Sequence, residues 1–277
     1  DIEFSRCIAK IYVRSLSNIL IQPRVLKAKE HQSNRTRDKA EVFTPVWVCN
    51  EQNNLIDESW FGRKNVFNTP TDGRWITNYE KIVFSDEKGK TWKDYVDARR
   101  MEVSCGEAPY LVSRYDAVSG EPIPVKDRIG LLDRKFRVVN ENVHDEDAWM
   151  KWAIRAVQSV YGYEFQGDNL LLARENVLYT FIDNMEEKFG HKPNLVELKK
   201  VANIVSWNLW QMDGLTYTIP FATAREENHQ MSIFEFFMGE QTEEDELPKR
   251  SPDAPICKIR DWRADCSVEY TTLLKGE

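Results

Sequence analysis

From residue 100 to residue 213 the apolar positions keep changing period, and that alternation constrains the fold more than any other feature of the chain. MEVS, at 101–104, reads as a short strand. DEDAWMKWAIRAVQSV then sets Trp149, Trp152, Ala153, Ala156 and Val160 on one helical face behind an acidic first turn. YGYEF is a short strand, and DNLLLARENVLYTFIDNMEEKF a second helix with Leu170, Ala173, Val177, Phe181 and Met185 inward. Asn194 is placed to cap a third helix through LVELKKVANIVSW, and NLWQMD reads as another strand. Strand, helix, strand, helix, helix, strand is the rhythm of a parallel α/β sheet.

The flanking regions are less regular. Residues 3–20 predict an N-terminal helix carrying Ile8, Ile11, Tyr12 and Leu16, followed by the basic stretch QPRVLKAKEHQSNRTRDK, either a solvated linker or a phosphate-contacting arm. Residues 56–100 show no clear period and suggest irregular connections with short strands such as KIVF. A polar excursion is expected at 113–145, and an acidic flexible loop at 224–252. The division that follows is an N-terminal helix and basic linker (1–40), a core (41–223) with an insertion at about 113–145, the acidic loop (224–252), and a C-terminal strand segment completing the core (253–277).

With 277 residues, 42% hydrophobic and 12% aromatic, the chain can bury a substantial core, which excludes general disorder. No apolar run is long enough to cross a bilayer, and the amphipathic start lacks a signal-peptide core, so a cytoplasmic location is expected. The five cysteines (Cys7, Cys49, Cys105, Cys257, Cys266) include no CxxC pair, arguing against a disulfide framework or a structural zinc. The four histidines (His31, His144, His191, His229) are scattered among polar neighbours and read as surface residues. A net charge of −7 gives no global attraction to nucleic acid, which leaves any such contact to a local basic face.

In an open parallel sheet, ligands bind where loops leave the carboxyl ends of the strands. Three strand ends here carry an acid: Glu102, before the small-residue turn Cys105-Gly106-Glu107-Ala108; Glu164, in Gly162-Tyr163-Glu164; and Asp213, in Met212-Asp213-Gly214. A carboxylate only accepts hydrogen bonds, which suits ribose hydroxyls or an adenine amino group, and a turn without bulky side chains lets a ligand lie against main-chain N–H groups. Each acid alone reads more readily as a surface residue or helix cap. Three in order on successive strands point to a ligand.

EVFTPVWVCNEQNNL, at 41–55, resembles the FTP-type motif of amino-methylating adenine DNA methyltransferases, including the modification subunits of restriction systems. MEVSCGEAPYL is similar to that family's acid–Cys-Gly-x-Gly loop, with Ala108 where the second glycine is usual. GYEFQGDNLLLARENVL looks like the following strand and helix, with Ala173-Arg174-Glu175-Asn176 as the family's Ala-Arg-x-Asn element. NLWQMDGL resembles the strand whose acid faces the adenine of S-adenosylmethionine (SAM). The resemblance covers about 41–215 and implies a Rossmann-like class I SAM-dependent methyltransferase sheet with an N-terminal helical segment. It also implies SAM as cofactor, DNA as substrate and a restriction or specificity subunit as partner. Phe43, Thr44, Pro45, Glu102, Cys105, Gly106, Ala108, Glu164 and Asp213 would then bind the cofactor.

Two departures stand beside it. About 60 residues separate Glu102 from Glu164, longer than the usual strand–helix–strand step. The family's catalytic tetrapeptide, Asn or Asp followed by Pro-Pro and an aromatic, occurs nowhere in the 277 residues. Its nearest counterpart is Asp261-Trp262, at the end of Lys258-Ile259-Arg260, which reads either as the base site or as a plain edge strand. A catalytically inactive subunit that keeps the fold to bind DNA or a partner is therefore the alternative. A nuclease is disfavoured by the lack of an acid–acid-x-Lys core.

Overall fold

The computed structural model describes residues 44–220 and 254–274. The expected helix at 3–20, the basic stretch, Phe43, the acidic segment 224–252, Cys7, His31 and His229 lie outside those residues. The chain divides into two compact units, Asp1–Trp210 and Gln211–Glu277.

The first unit is mixed α/β. Helix α1 (Val46–Phe61) leads into a hairpin of β1 (Asn68–Thr71) and β2 (Arg74–Thr77), and a short α2 (Trp92–Asp97) precedes β3 (Arg100–Glu102). Then come α3 (Leu131–Asn142), α4 (Glu146–Gln158), β4 (Val160–Glu164), α5 (Gly167–Phe189), α6 (Leu195–Asn208) and β5 (Leu209–Gln211). Strands β3, β4 and β5 form a small parallel three-stranded sheet in that order, with Glu102 opposite Gly162. The alternation expected from residue 146 onward is present. Asn194 caps α6 by accepting from Val196 N and Glu197 N at 2.9 and 3.1 Å, and Glu197 closes a capping box. Leu170, Ala173, Val177, Phe181 and Met185 are all buried. Trp149 stacks between Phe136 and Phe181, with ring centroids 6.2 and 5.9 Å away, joining α3, α4 and α5.

Two expectations need correction. The segment 113–145 is not simply polar: it contains α3, whose buried face includes Asp133, Arg134 and Lys135 beside Leu132, Phe136 and Val139. KIVF is not a strand; Ile82 is buried and its amide donates to Glu141 Oε2 at 2.8 Å. Helix α1 is a further helix outside those expectations. Its buried positions, Val46, Cys49, Asn50, Asn53 and Asp57, are helically spaced but mostly polar. They meet the charged face of α3: Arg134 pairs with Asp57 and donates to Asn50 and Asn54 at 2.9 Å each. Asn50 and Asn68 exchange amide hydrogen bonds at 2.9 and 2.8 Å, and Tyr95 donates to Asp57 at 2.8 Å. Buried polar groups persist when their hydrogen bonds are met inside the protein, and this network meets most of them.

The second unit is described at 211–220 and 254–274. Strands β6 (Lys258–Asp261) and β7 (Cys266–Glu269) pair antiparallel, and α7 (Tyr270–Leu274) follows. Cys257 N donates to Tyr217 O at 2.9 Å, and Tyr217 packs on Tyr270 with centroids 5.5 Å apart. Strands β6 and β7 form a two-stranded sheet. Among the described residues no helix is long and apolar enough to cross a membrane.

Candidate functional site: the loop after β3

Glu102 and Glu164 are the last residues of neighbouring parallel strands, so both lie at the same edge of the sheet. The ladder runs on past β3, because Cys105 N donates to Tyr163 O at 2.8 Å. Gly162 keeps that approach close. A Cβ there would lie 2.9 Å from Leu209 Cδ2 and 3.2 Å from Cys105 Sγ.

The chain then turns through alternate left-handed residues: Ser104 (φ 51°), Gly106 (φ 53°) and Ala108 (φ 64°). For Ser104 and Ala108 this conformation costs on the order of 1 kcal/mol each. Ala108 occupies the position where the resemblance expects glycine, and its backbone has the angle that glycine favours. Space above Gly106 is open, since a Cβ built there meets nothing within 4 Å.

The two carboxylates brace this turn. Glu164 accepts from Gly106 N at 2.8 Å and from Gln166 N at 3.0 Å; Glu102 accepts from Tyr110 N at 3.3 Å and Leu111 N at 3.1 Å. Each oxygen of the Glu164 carboxylate can accept two hydrogen bonds and is given one here, which leaves it acceptor capacity. Burial pushes the Glu102 carboxyl up to about 8, and the nearby Glu164 charge pushes the same way against the pull of the two amides. Burial likewise raises the Cys105 thiol, with Glu102 and Glu164 adding to it, so Cys105 packs as a neutral apolar group.

Thr44 and Pro45 lead into α1, whose first residues pack on this loop. The Pro45 carbonyl accepts from Val48 N and Cys49 N at 3.0 and 3.3 Å, starting α1, and Val46 N donates to Asp116 Oδ2 at 3.3 Å. The hydroxyl of Tyr110 meets the side chains of Cys49 and Thr44, and its ring packs on Val46, Cys49 and Ile129. Asn53 then donates to the carbonyls of Tyr110 and Ile129 at 3.0 and 3.1 Å. A segment some 60 residues upstream is thereby folded onto the turn after β3. Tyr110 is the residue that sequence reading passed over: it stands in the quoted stretch, but nothing in its type announces a clasp between two distant segments.

Thr44, Pro45, Glu102, Cys105, Gly106, Ala108 and Glu164 therefore gather in the first unit. The other three candidates belong to the second. Strand β5 stops at Gln211, and Asp213 lies in the turn beyond it, accepting from Leu215 N at 2.8 Å and Thr216 N at 3.3 Å. Asp261 ends β6 and accepts from Arg263 N at 2.8 Å and Ala264 N at 3.2 Å, while Arg260 lies 5.8 Å from the Trp262 ring centre. Both acids act as turn caps. Among the described residues no cluster of His, Cys, Asp or Glu is arranged to hold a metal ion. No protein-family model, curated protein or solved structure matches the chain.

Proposed function

We propose that the chain is a SAM-binding, methyltransferase-like protein of a DNA modification system, with a Rossmann-like sheet whose cofactor loop is 103–110. The observation that carries this reading is the convergence at one sheet edge: the left-handed turn at 104–108, an acid at each of two adjacent strand ends, and the start of α1, which directly follows Thr44-Pro45, packed on Tyr110. The residues suit such a ligand. The Gly106 backbone carries no side chain and has nothing within 4 Å of where a Cβ would stand, and the Glu164 carboxylate has acceptor positions suited to hydroxyl or amino donors, while Glu102, raised to about 8, adds a protonated carboxyl. SAM, when bound, supplies an electrophilic methyl group on a sulfonium. The protein's part is to hold and orient it. DNA is the methyl acceptor in this reading, with a restriction or specificity subunit as partner.

A second reading, a non-catalytic subunit of such a system, is favoured by one observation: no Pro-Pro-aromatic tetrapeptide occurs in the sequence. Both readings require SAM-shaped recognition at 103–110 to be tested first. Calorimetric titration with SAM should give saturable one-site binding by the wild type, and Glu164→Ala should weaken it at least about tenfold, because Gly106 N loses its acceptor and the ligand loses one too. A wild-type chain that is folded by circular dichroism yet takes up no SAM overturns the proposal.

A further inference from the structure

We infer that Tyr115 and Asn176 are positioning residues of the 103–110 loop, which together clamp Glu107 from its side chain and its backbone at once. The inference about ligand affinity rests on the function proposed above; the inference about the loop does not.

Glu107 is the residue between Gly106 and Ala108, both left-handed, and it is 7% exposed. Its backbone carbonyl accepts from Asn176 Nδ2 at 3.0 Å. Its carboxylate Oε2 accepts from the Tyr115 hydroxyl at 2.7 Å, and that hydroxyl in turn accepts from Asn176 Nδ2 at 2.9 Å. The three groups close a ring of hydrogen bonds. Two of its members come from elements fixed independently: Asn176 is buried in the middle of α5, and Tyr115 is held by a bridge to Pro122. Burial and the Glu107 charge both raise the Tyr115 phenol, which keeps its proton and remains a donor.

The need for a clamp follows from the backbone. A turn with non-glycine residues at positive φ persists only when its surroundings over-determine it. Glu164 fixes Gly106 from the strand side through a 2.8 Å bond, and the Ala108 amide bonds back to Cys105 O at 2.6 Å. Glu107 lies between those two anchors. With its carbonyl tied, the Glu107–Ala108 peptide plane is held against flipping, and the tied carboxylate holds the Glu107 side chain beside it. A site held in its binding geometry beforehand loses less entropy on taking a ligand.

Hydrogen–deuterium exchange and SAM titration on Tyr115→Phe test this, with Tyr95→Phe as the control. Tyr95→Phe removes a comparable buried hydroxyl, bonded at 2.8 Å to Asp57, away from the loop. Tyr115→Phe should speed amide exchange in peptides spanning 104–111 about tenfold, and Tyr95→Phe should leave them at the wild-type rate. The SAM dissociation constant should rise about tenfold for Tyr115→Phe, equivalent to about 1.4 kcal/mol, and stay within about twofold for Tyr95→Phe. Glu107→Gln keeps an oxygen for the phenol and should stay within about threefold of wild type in both readouts. Unchanged loop exchange in Tyr115→Phe, or equal acceleration in both Phe variants, overturns the clamp. If the wild type takes up no SAM, the function proposed above fails while the exchange arm still decides the clamp.

Discussion

At the scale of single residues, Glu102 is the most informative titrating group. Its carboxyl is buried at a strand end, raised from 4.5 to about 8 in the fold, with Glu164, Cys105, Cys49 and Tyr110 around it. Between those two values the folded chain holds a proton that the unfolded chain releases. Stability therefore falls as pH rises through that window, by an amount on the order of a few kcal/mol for this group alone. Glu102→Gln removes the titration and keeps an oxygen acceptor for the Leu111 amide. Thermal unfolding followed from pH 5 to pH 9 should show a steeper loss in wild type than in Glu102→Gln, with the variant the more stable at pH 9. Parallel curves would mean that Glu102 is ionised throughout. Gly130 gives a second, steric test. A Cβ there would lie 2.3 Å from Leu111 O, where Leu131 N and Leu132 N bond to the Tyr110 and Leu111 carbonyls at 2.8 Å each. Gly130→Ala should cost about 1–3 kcal/mol by denaturant unfolding, and a wild-type midpoint would show that α3 can shift away at no cost.

At the scale of elements, the buried network between α1 and α3 makes the strongest claim. Arg134 and Asp57 are 1% and 2% exposed, and a buried ion pair that loses one partner leaves an uncompensated charge. Asp57→Asn keeps the size and removes the charge, so it should destabilise the chain by about 3–5 kcal/mol, a fall of about 10 °C or more in Tm. A drop of only a degree or two would show that the asparagines alone satisfy the guanidinium. The same network explains what could and could not be read beforehand. Helices α4, α5 and α6 announce themselves because their inward positions are Trp, Ala, Leu, Val and Phe, and hydrophobic period is the main signal a sequence carries. Helices α1 and α3 bury Asn50, Asn53, Asp57, Asp133, Arg134 and Lys135 instead, so their period is written in residue types that ordinarily mark a solvated face. Lys135 is legible only once its ammonium is seen donating to Val96 O at 3.0 Å and Ser159 Oγ at 2.5 Å. The loop after β3 was legible as a turn from its small residues and closing acid. That Asn176 converges on it was not, since a contact across 69 residues leaves no local trace.

At the scale of the whole molecule, the question is whether SAM uptake and methyl transfer go together in this chain. Adenine's amino group is a poor nucleophile because its lone pair is delocalised into the ring. Transfer needs a rigid acceptor that draws hydrogen bonds from that group and holds it in line with the methyl, and a misplacement of about 1 Å can cost on the order of a hundredfold in rate. In a flipped-base site, an aromatic then stacks on the base. The 277 residues contain Asp261 and Trp262 where such groups would be sought, without the two prolines that make the backbone stiff. Asp261 already accepts from Arg263 N and Ala264 N, closing the turn between β6 and β7, and Trp262 lies beside the Arg260 guanidinium. Those contacts define a hairpin tip and leave the carboxylate committed to main-chain donors. The expected outcome is that this chain takes up SAM and transfers no measurable labelled methyl to mixed-sequence duplex DNA, and that Asp261→Ala loosens the hairpin without altering SAM uptake. Robust turnover abolished by Asp261→Ala would reverse the assignment and make the hairpin tip the base site.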